Sequence, residues 1–425
     1  MNILVVSESS WNDKDSLGNS LNNWFEGWDD NFYHFFVRKV LPNNQIVSGY
    51  YNLTANDIVK GLFRFHIKGL AFSKSNLESV KNDFEKEGAQ EQKKIRKVHS
   101  KNGQFIYFLN ELVWRTKLWF NKSVKDFLNK SRPNVIFVLT KSGYVSIPIV
   151  KYCRKKYGAK VVVFSADDVY GQYLKCKWYR KRYLVRSVKW LLTNANRVYC
   201  CSPIMVDYYN EKFGIESLWL SKGCNFNQII PNKSNDTITI LYAGNLLYGR
   251  DETLLLIAKT ISEMKYNGVK FVLSILTTST DNDILAYLEA NYDFVGVEKN
   301  VDYNEVEKRM NESHYVLVAE SFDSKYSNQT KYSFSTKISD AIQSGSGIVA
   351  VGSNESSTID FLSKIDGVIS AFSIEELKNA LAFIKDNPNV CYDNAKKIRS
   401  SCLKSFDKKE ISQALRKSFL DLTIS

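Results

Sequence analysis

The sequence predicts an α/β protein built of two successive Rossmann-like domains. Two observations lead there. Short, continuously apolar runs alternate with helix-length segments, as parallel strands covered on both faces require. That rhythm also occurs twice, interrupted by the polar, turn-rich stretch Pro231-Asn232-Lys233-Ser234-Asn235-Asp236.

Strand candidates in the first half are residues 3–6, 135–139, 161–164, 198–201 and 218–220. Those of the second half are 238–242, 271–276, 315–318, 347–351 and 368–369. Helices open at 253–258 and at 375–377, and such alternation implies right-handed crossovers. The break divides an N-terminal domain, residues 1–232, from a C-terminal domain, residues 233–407. An insertion at about 56–130 interrupts the first domain. Its middle, 83–103, is highly charged, and its end, 105–130, reads as one long helix with Phe108, Leu109, Leu112 and Val113 on one side.

A chain of 425 residues suits two or three domains, and a core of that size needs no disulfide staples. With 44% hydrophobic and 24% charged residues, a wholly disordered chain is excluded. Lys and Arg number 58 against 45 Asp and Glu, a net charge of +13 that points to an anionic partner: nucleic acid, a phosphorylated substrate or an acidic membrane surface. Seven cysteines without CxxC spacing and only four histidines support neither a metal site nor a disulfide framework; a reduced cytoplasmic chain without a cofactor is expected. The opening run at 3–6 is too short for a signal-peptide core. No stretch reaches the roughly 20 apolar residues of a membrane span.

The most informative segment is Ser335-Thr336-Lys337-Ile338-Ser339-Asp340-Ala341-Ile342-Gln343-Ser344-Gly345-Ser346-Gly347-Ile348-Val349-Ala350-Val351-Gly352. It reads as loop, short helix, glycine turn and buried strand. Ser335 or Thr336 can cap the helix, whose start suits a phosphate, and Lys337 adds a full positive charge. Asp340, one turn on, can accept two ribose hydroxyls. A capped surface helix is the alternative reading. A second segment, Ile238-Thr239-Ile240-Leu241-Tyr242-Ala243-Gly244-Asn245-Leu246-Leu247-Tyr248-Gly249-Arg250, runs from a strand through a glycine loop to an arginine. Gly244 would let the backbone approach a ligand, and the Arg250 guanidinium suits bidentate phosphate contact; a plain strand-turn with an exposed arginine is the alternative. The third is the turn Trp219-Leu220-Ser221-Lys222-Gly223-Cys224-Asn225-Phe226.

In this order the three segments resemble the signature of GT-B glycosyltransferases, in particular family 4-like bacterial enzymes of polysaccharide synthesis. The resemblance spans nearly all of the second half; the first half matches only in strand rhythm. It implies the GT-B fold, two Rossmann-like domains facing each other across a cleft, with residues 408–425 as a helix returning to the N-terminal domain. It implies a nucleotide-diphosphate sugar as donor, with Asp340 on the ribose and Thr336, Lys337 and Arg250 at the diphosphate beside Gly244. Backbone around Tyr332, Ser333 and Phe334 would face the sugar. Retaining family 4 enzymes usually carry two glutamates with seven residues between them, the second on the ribose; with Asp340 at the second position, Tyr332 holds the first. Glu320 and Asp323 are the nearest acidic residues, across a loop at 322–334 longer than that motif allows, so retention or inversion stays open.

The first strand runs into Ser7-Glu8-Ser9-Ser10-Trp11-Asn12-Asp13-Lys14-Asp15-Ser16-Leu17-Gly18, a loop at the end of a sheet where open α/β proteins place ligands. Gly18 would admit an acceptor or phosphate, and Asp13 or Asp15 would be a base; a solvated acidic turn is the alternative. Adjacent Asp167 and Asp168 follow the strand at 161–164, and their repulsion makes Asp168 a candidate general base, against the alternative of a helix cap. The resemblance puts a His-Asp pair here, but this chain has Ala166 where the histidine falls. His34, His66, His99 and His314 read as structural.

No acidic residue stands between Asp168 and Asp207. A helix over 179–192 would turn Leu184, Val188 and Leu191 inward and Arg182, Arg186 and Lys189 outward. With Lys175, Lys177 and Trp178 these form a candidate membrane-facing surface; a nucleic-acid patch and a solvated face are the alternatives. Residues 60–68 are a second basic, aromatic stretch. The expected activity is metal-independent sugar transfer to a saccharide or lipid-linked acceptor, at the inner face of the cell membrane, with no nucleic-acid partner. An epimerase-like enzyme on the same fold and a non-catalytic binder of anionic surfaces are the rivals.

Overall fold

The structure, a computed structural model, describes residues 1–13, 15–98, 103–227, 230, 237–264, 268–279 and 282–424. The chain forms two compact units, Met1–Leu220 with Ser412–Ser425, and Ser221–Ile411.

The first unit holds β1 (Asn2–Ser7), β2 (Asn31–Phe36), β3 (Val47–Asn52), β4 (Leu70–Ser73), β5 (Val135–Leu139), β6 (Lys160–Ser165), β7 (Arg197–Cys200) and β8 (Ser217–Trp219). Their order is β4-β3-β2-β1-β5-β6-β7-β8, and every pairing is parallel except β3 with β4. Ile3 lies beside Phe32 on one side and Val135 on the other, so the chain winds outward in both directions from β1 and β5. The helices are α1 (Ser16–Phe25), α2 (Ala55–Phe63), α3 (Leu77–Val98), α4 (Gly103–Arg115), α5 (Lys122–Ser131), α6 (Gly143–Tyr157), α7 (Val169–Leu174), α8 (Trp178–Thr193) and α9 (Pro203–Phe213).

The aliphatic runs became strands because both of their faces are covered; Ile3, Leu4, Val5 and Val6 are fully buried. Four further strands lie outside the predicted set. Three are β2, β3 and β4, whose residues are largely aromatic or polar and lack the aliphatic signature. Phe35 stacks on Tyr51 at 5.4 Å and Tyr50 on Phe72 at 5.0 Å, so cross-strand ring contacts hold this edge together. The expected long helix at 105–130 is two helices instead. Lys117 turns at φ 57, Trp119 tucks into the core, and Asn121 caps α5 through its bond to the Ser123 amide. Leu109 and Leu112, expected on a packed side, are exposed.

The second unit holds β9 (Thr237–Ala243), β10 (Lys270–Thr277), β11 (Val295–Lys299), β12 (Tyr315–Ala319), β13 (Gly347–Val351) and β14 (Ile369–Ala371). All pairings are parallel, in the order β11-β10-β9-β12-β13-β14, so winding reverses between β9 and β12. β11, the fourth unpredicted strand, is an edge with four exposed or half-exposed residues after Val295. The helices are α10 (Arg250–Glu263), α11 (Asp283–Asn291), α12 (Tyr303–Glu312), α13 (Ser324–Thr330), α14 (Lys337–Gln343), α15 (Ser357–Ser363), α16 (Ile374–Asp386) and α17 (Val390–Phe406), and the last helix, α18 (Lys408–Ile424), starts here and continues into the first unit.

The division at Leu220 and Ser221 precedes the expected boundary at 232–233, and 231–236 lie outside the described residues. The reason is local bonding. The Cys224 amide reaches the Phe406 carbonyl, and Ser339 Oγ donates to the Lys222 carbonyl at 2.6 Å, so this segment is tied to α14 and α17. Gly223 is required here, since a Cβ would sit 2.5 Å from Lys408 Cα. Residues from Ser412 onward belong to the first unit: Trp28 donates to Ser412, Arg416 pairs with Asp30 at 2.9 Å, and Phe419 meets Phe25, Trp28 and Phe137.

Candidate functional site

In open parallel sheets, ligands settle at the carboxyl ends of the strands where winding reverses. In the second unit that point lies between β9 and β12, and the predicted cations gather there. Arg250 opens α10 just after β9, while Glu320 follows β12 directly. The two form a bidentate pair: Nε donates to Oε2 at 3.2 Å and Nη2 to Oε1 at 2.8 Å. Nη1 donates to Asn245 Oδ1 at 2.7 Å. A guanidinium has five N–H donors, so Glu320 and Asn245 fix its plane and still leave two for an anion. Burial pushes the Glu320 carboxyl up, against the pull of Arg250. Burial also works against the Arg250 charge, yet Glu320 outweighs it and raises its pKa. The turn before Arg250 is left-handed at Tyr248 (φ 64) and Gly249 (φ 74), a strained conformation for the tyrosine alone.

Lys337 begins α14 and extends back to β9, where its Nζ donates to the Ala243 carbonyl at 2.5 Å. Gly244 makes room for it: a Cβ there would lie 3.0 Å from Lys337 Nζ and 2.6 Å from the Tyr242 hydroxyl. So Gly244 serves close packing around the lysine. Burial, reinforced by Arg250, lowers the Lys337 pKa to about 8, with Asp340 opposing. A cation held at such electrostatic disadvantage marks a place prepared for negative charge.

Asp340 lies one turn further along α14. Its Oδ1 accepts from Lys222 Nζ at 2.6 Å and from the Tyr303 hydroxyl at 3.0 Å. Among the described residues no donor reaches Oδ2, which leaves that oxygen for a hydroxyl. Lys222 is half-buried, and Asp340 more than offsets the desolvation, raising its pKa. The Thr336 side chain makes no capping bond; the Ser335 hydroxyl receives the Lys337 amide at 3.4 Å instead. Tyr332, Ser333 and Phe334 are half-buried, with Phe334 against Phe361. The expected loop at 322–334 contains α13, capped by Asp323. Sequence reasoning missed Lys222 as a partner of Asp340, and Tyr303 and Asn245 altogether; only the lysine beside Gly223 offered a local signal.

The Lys337 shift gives a pH prediction. A diphosphate needs the protonated amine, which the free protein holds below about pH 8. Nucleotide affinity should therefore be steady near neutrality and fall up to roughly tenfold per pH unit above that value. Titration calorimetry across this range checks it, and Lys337→Met should flatten the profile.

In the first unit, the loop candidates make internal bonds. Asp15 caps α1 through the Gly18 amide at 2.6 Å, and Asp13 accepts from Asn22 Nδ2 at 2.6 Å. A Cβ on Gly18 would overlap the Asn12 carbonyl, so this glycine serves loop closure. Asp168 caps α7 through Gly171 at 2.9 Å and receives the Tyr209 hydroxyl at 3.3 Å. Burial raises the pKa of both Asp15 and Asp168. Asparagine keeps such a cap, whereas alanine costs about 1 kcal/mol. Asp15→Asn and Asp168→Asn are therefore expected to keep stability and transfer rate; a rate loss in a folded Asn variant would identify that residue as the base.

A cavity of about 300 Å³ opens where winding reverses in this sheet, between the ends of β1, β2 and β5. Glu8 and Arg38, paired at 3.1 Å, and Lys141 lie on the sheet side. Tyr107, Asn110, Glu111 and Trp114 come down from α4, and Tyr173 and Arg180 from α7 and α8. Arg180 is buried, its Nε 2.9 Å from Glu111 Oε1, and its guanidinium covers the Tyr107 ring at 5.1 Å. Aromatic rings set among fixed ionic groups suit a polyhydroxylated ligand, which offers apolar ring faces and many hydroxyls.

On α8, Leu184, Val188 and Leu191 are buried and Arg182, Arg186 and Lys189 exposed, as are Lys175, Lys177 and Trp178. His34 is buried against Ser7 Oγ at 2.8 Å, and burial holds its pKa down at about 3. Among the described residues no His, Cys, Asp or Glu cluster is placed to hold a metal, and no helix is long and apolar enough to cross a membrane. Among the described residues no disulfide joins any of the seven cysteines.

No protein-family model and no curated protein matches this sequence. Solved structures do. HepE of Anabaena, in complex with UDP and glucose, superimposes at TM-score 0.63 with 11% identity, over 99% of this chain and 100% of that one. Sucrose-phosphate synthase from Thermosynechococcus elongatus gives 0.61 with 12% identity, over 99% and 98%. The α,α-trehalose-phosphate synthase (UDP-forming) from Burkholderia xenovorans, in complex with glucose-6-phosphate, gives 0.60 with 12% identity, over 98% and 100%. At such identities the likeness establishes the fold, which is that of the GT-B glycosyltransferases.

Proposed function

We propose that the protein is a glycosyltransferase that binds a nucleotide-diphosphate sugar in its second unit and an acceptor saccharide, free or lipid-linked, in its first. One observation carries this reading: Arg250 and Lys337 converge beside β9, with the Asp340 carboxylate one helical turn beyond. Asp340 Oδ2 would take a ribose hydroxyl while Lys222 and Tyr303 hold the carboxylate. Arg250 and Lys337 would take the diphosphate. As the bond from the anomeric carbon to the β-phosphate oxygen breaks, charge grows on that oxygen, and two preorganised cations in a desolvated site stabilise it. The acceptor hydroxyl oxygen forms the new bond to the anomeric carbon, its proton passes to the departing diphosphate or to water, and nucleoside diphosphate leaves.

The polar, ring-lined cavity beneath α4 supports an acceptor of saccharide type. HepE is held with UDP and glucose, which makes UDP-sugars the first donors to try. Assembly of a bacterial surface polysaccharide on the cytoplasmic side of the membrane fits a cationic enzyme of this fold.

Incubation with a panel of nucleotide sugars, with and without saccharide acceptors, tests the proposal by mass spectrometry. Acceptor-dependent release of nucleoside diphosphate, with a product heavier by one sugar, is expected. An epimerised donor formed without acceptor would assign the chain to the rival enzyme class.

A further inference from the structure

Helix α4 carries two unlike faces. Tyr107, Asn110, Glu111 and Trp114 meet the cavity, while Phe105, Leu109 and Leu112 point the other way and are 55%, 47% and 38% exposed. α2 packs alongside α4 and ends at Phe63, with Phe65 two residues beyond; they are 83% and 98% exposed. On the other side Phe108 touches Tyr179 at 5.0 Å, and Tyr179 touches Trp178, itself 82% exposed. Three helices thus join in one exposed aromatic and aliphatic surface, of a kind a water-facing region rarely carries.

The segments that form it are basic, although Glu87 of α3 pairs with Lys60 of α2 at 3.3 Å. Residues 58–68, 103–122 and 169–206 hold a single carboxylate, Glu111, and that one is buried against Arg180. Arg64, Lys68, Lys117, Lys175, Lys177 and Lys181 are all exposed around the surface. Phe65 adds a second sign. It stands just past the end of α2 with φ 53, the left-handed position that usually takes glycine, and it has almost no burial to offset that strain.

We infer that this surface docks on an anionic lipid bilayer, with the rings of Phe63, Phe65 and Trp178 entering the interface and the surrounding cations meeting lipid headgroups. A nucleic acid would use the cations but leave the aliphatic residues of α4 in water, whereas a bilayer uses both. Docking would set α4 on the membrane with the cavity directly behind it. The inference stands apart from sugar transfer, because none of these apolar residues lines the cavity or touches the diphosphate cluster.

Flotation of the full chain with vesicles of phosphatidylcholine and phosphatidylglycerol, against phosphatidylcholine alone, provides the test. The protein should float with the mixed vesicles, less so at high salt. Phe63→Ser/Phe65→Ser should reduce partitioning by roughly tenfold or more with nucleotide binding unchanged. Phe65→Gly is the sharper variant: relief of the backbone should raise the melting temperature while vesicle binding falls. Equal partitioning of variants and wild type would overturn the inference. So would failure to float, retention on RNA but not on vesicles, or a dimer in vesicle-free buffer that the same substitutions dissolve. Loss of nucleotide binding by the wild type would instead strike the transferase reading and leave the surface intact.

Discussion

Arg250→Ala is expected to lower stability and weaken nucleotide binding together. The Glu320 side chain is only 4% exposed, and removing its partner strands a buried carboxylate, at a cost of about 3–5 kcal/mol. Loss of a charge-assisted phosphate contact should separately weaken nucleotide affinity by roughly ten- to a hundredfold. A second variant separates the effects. In Arg250→Met/Glu320→Leu both charges are gone, and apolar side chains of similar size fill the space, so stability should return close to wild type. Nucleotide binding should not return. Chemical denaturation and calorimetry on both proteins decide it; recovered binding in the double variant would show that Arg250 serves only to neutralise Glu320.

Arg180→Ala should produce the second large effect, confined to the first unit. Arg180 joins α8 to α4 through Glu111 and also bonds Gln104 at 2.5 Å, so it fixes the helix that roofs the cavity. Its loss leaves Glu111 buried with only Arg115, 3.6 Å away, to compensate. A destabilisation near the lower end of about 3–5 kcal/mol follows. The acceptor KM should rise steeply as Tyr107 and Trp114 lose their positions, while nucleotide affinity stays at the wild-type value. Glu111→Gln, which keeps a hydrogen-bond acceptor, should do less harm. An unchanged acceptor KM in a folded Arg180 variant would remove the cavity from acceptor binding.

What could be read from the sequence was what local chemistry specifies. Aliphatic runs such as Val135–Leu139 and Gly347–Val351 need cover on both faces, and the two parallel sheets follow from them. Gly244, Arg250, Lys337 and Asp340 were marked by their order along two recognisable segments, and the structure brings Arg250 and Lys337 to the carboxyl end of β9, with Asp340 one turn further along α14. Aromatic strands escaped because rings at β2 and β3 pair across strands rather than announce themselves by period. The long helix at 105–130 failed at Lys117, where a left-handed residue follows no glycine or proline signal. Partners brought together by folding were invisible: Lys222 reaches Asp340 across 118 positions, and Arg180 reaches Glu111 across 69. Arg180 is instructive, since its helix was read correctly as amphipathic while its own burial depends on a carboxylate from another segment.

The most direct test of the donor site is calorimetric titration of nucleoside diphosphates into the wild-type protein and into Lys337→Met. Burial already opposes the lysine charge, so methionine should leave the fold intact. At least one diphosphate should bind the wild type, with affinity declining above about pH 8, and the variant should bind more than roughly tenfold weaker with no such decline. Equal affinities in the two proteins, or no binding of any nucleoside diphosphate to the wild type, would contradict the assignment.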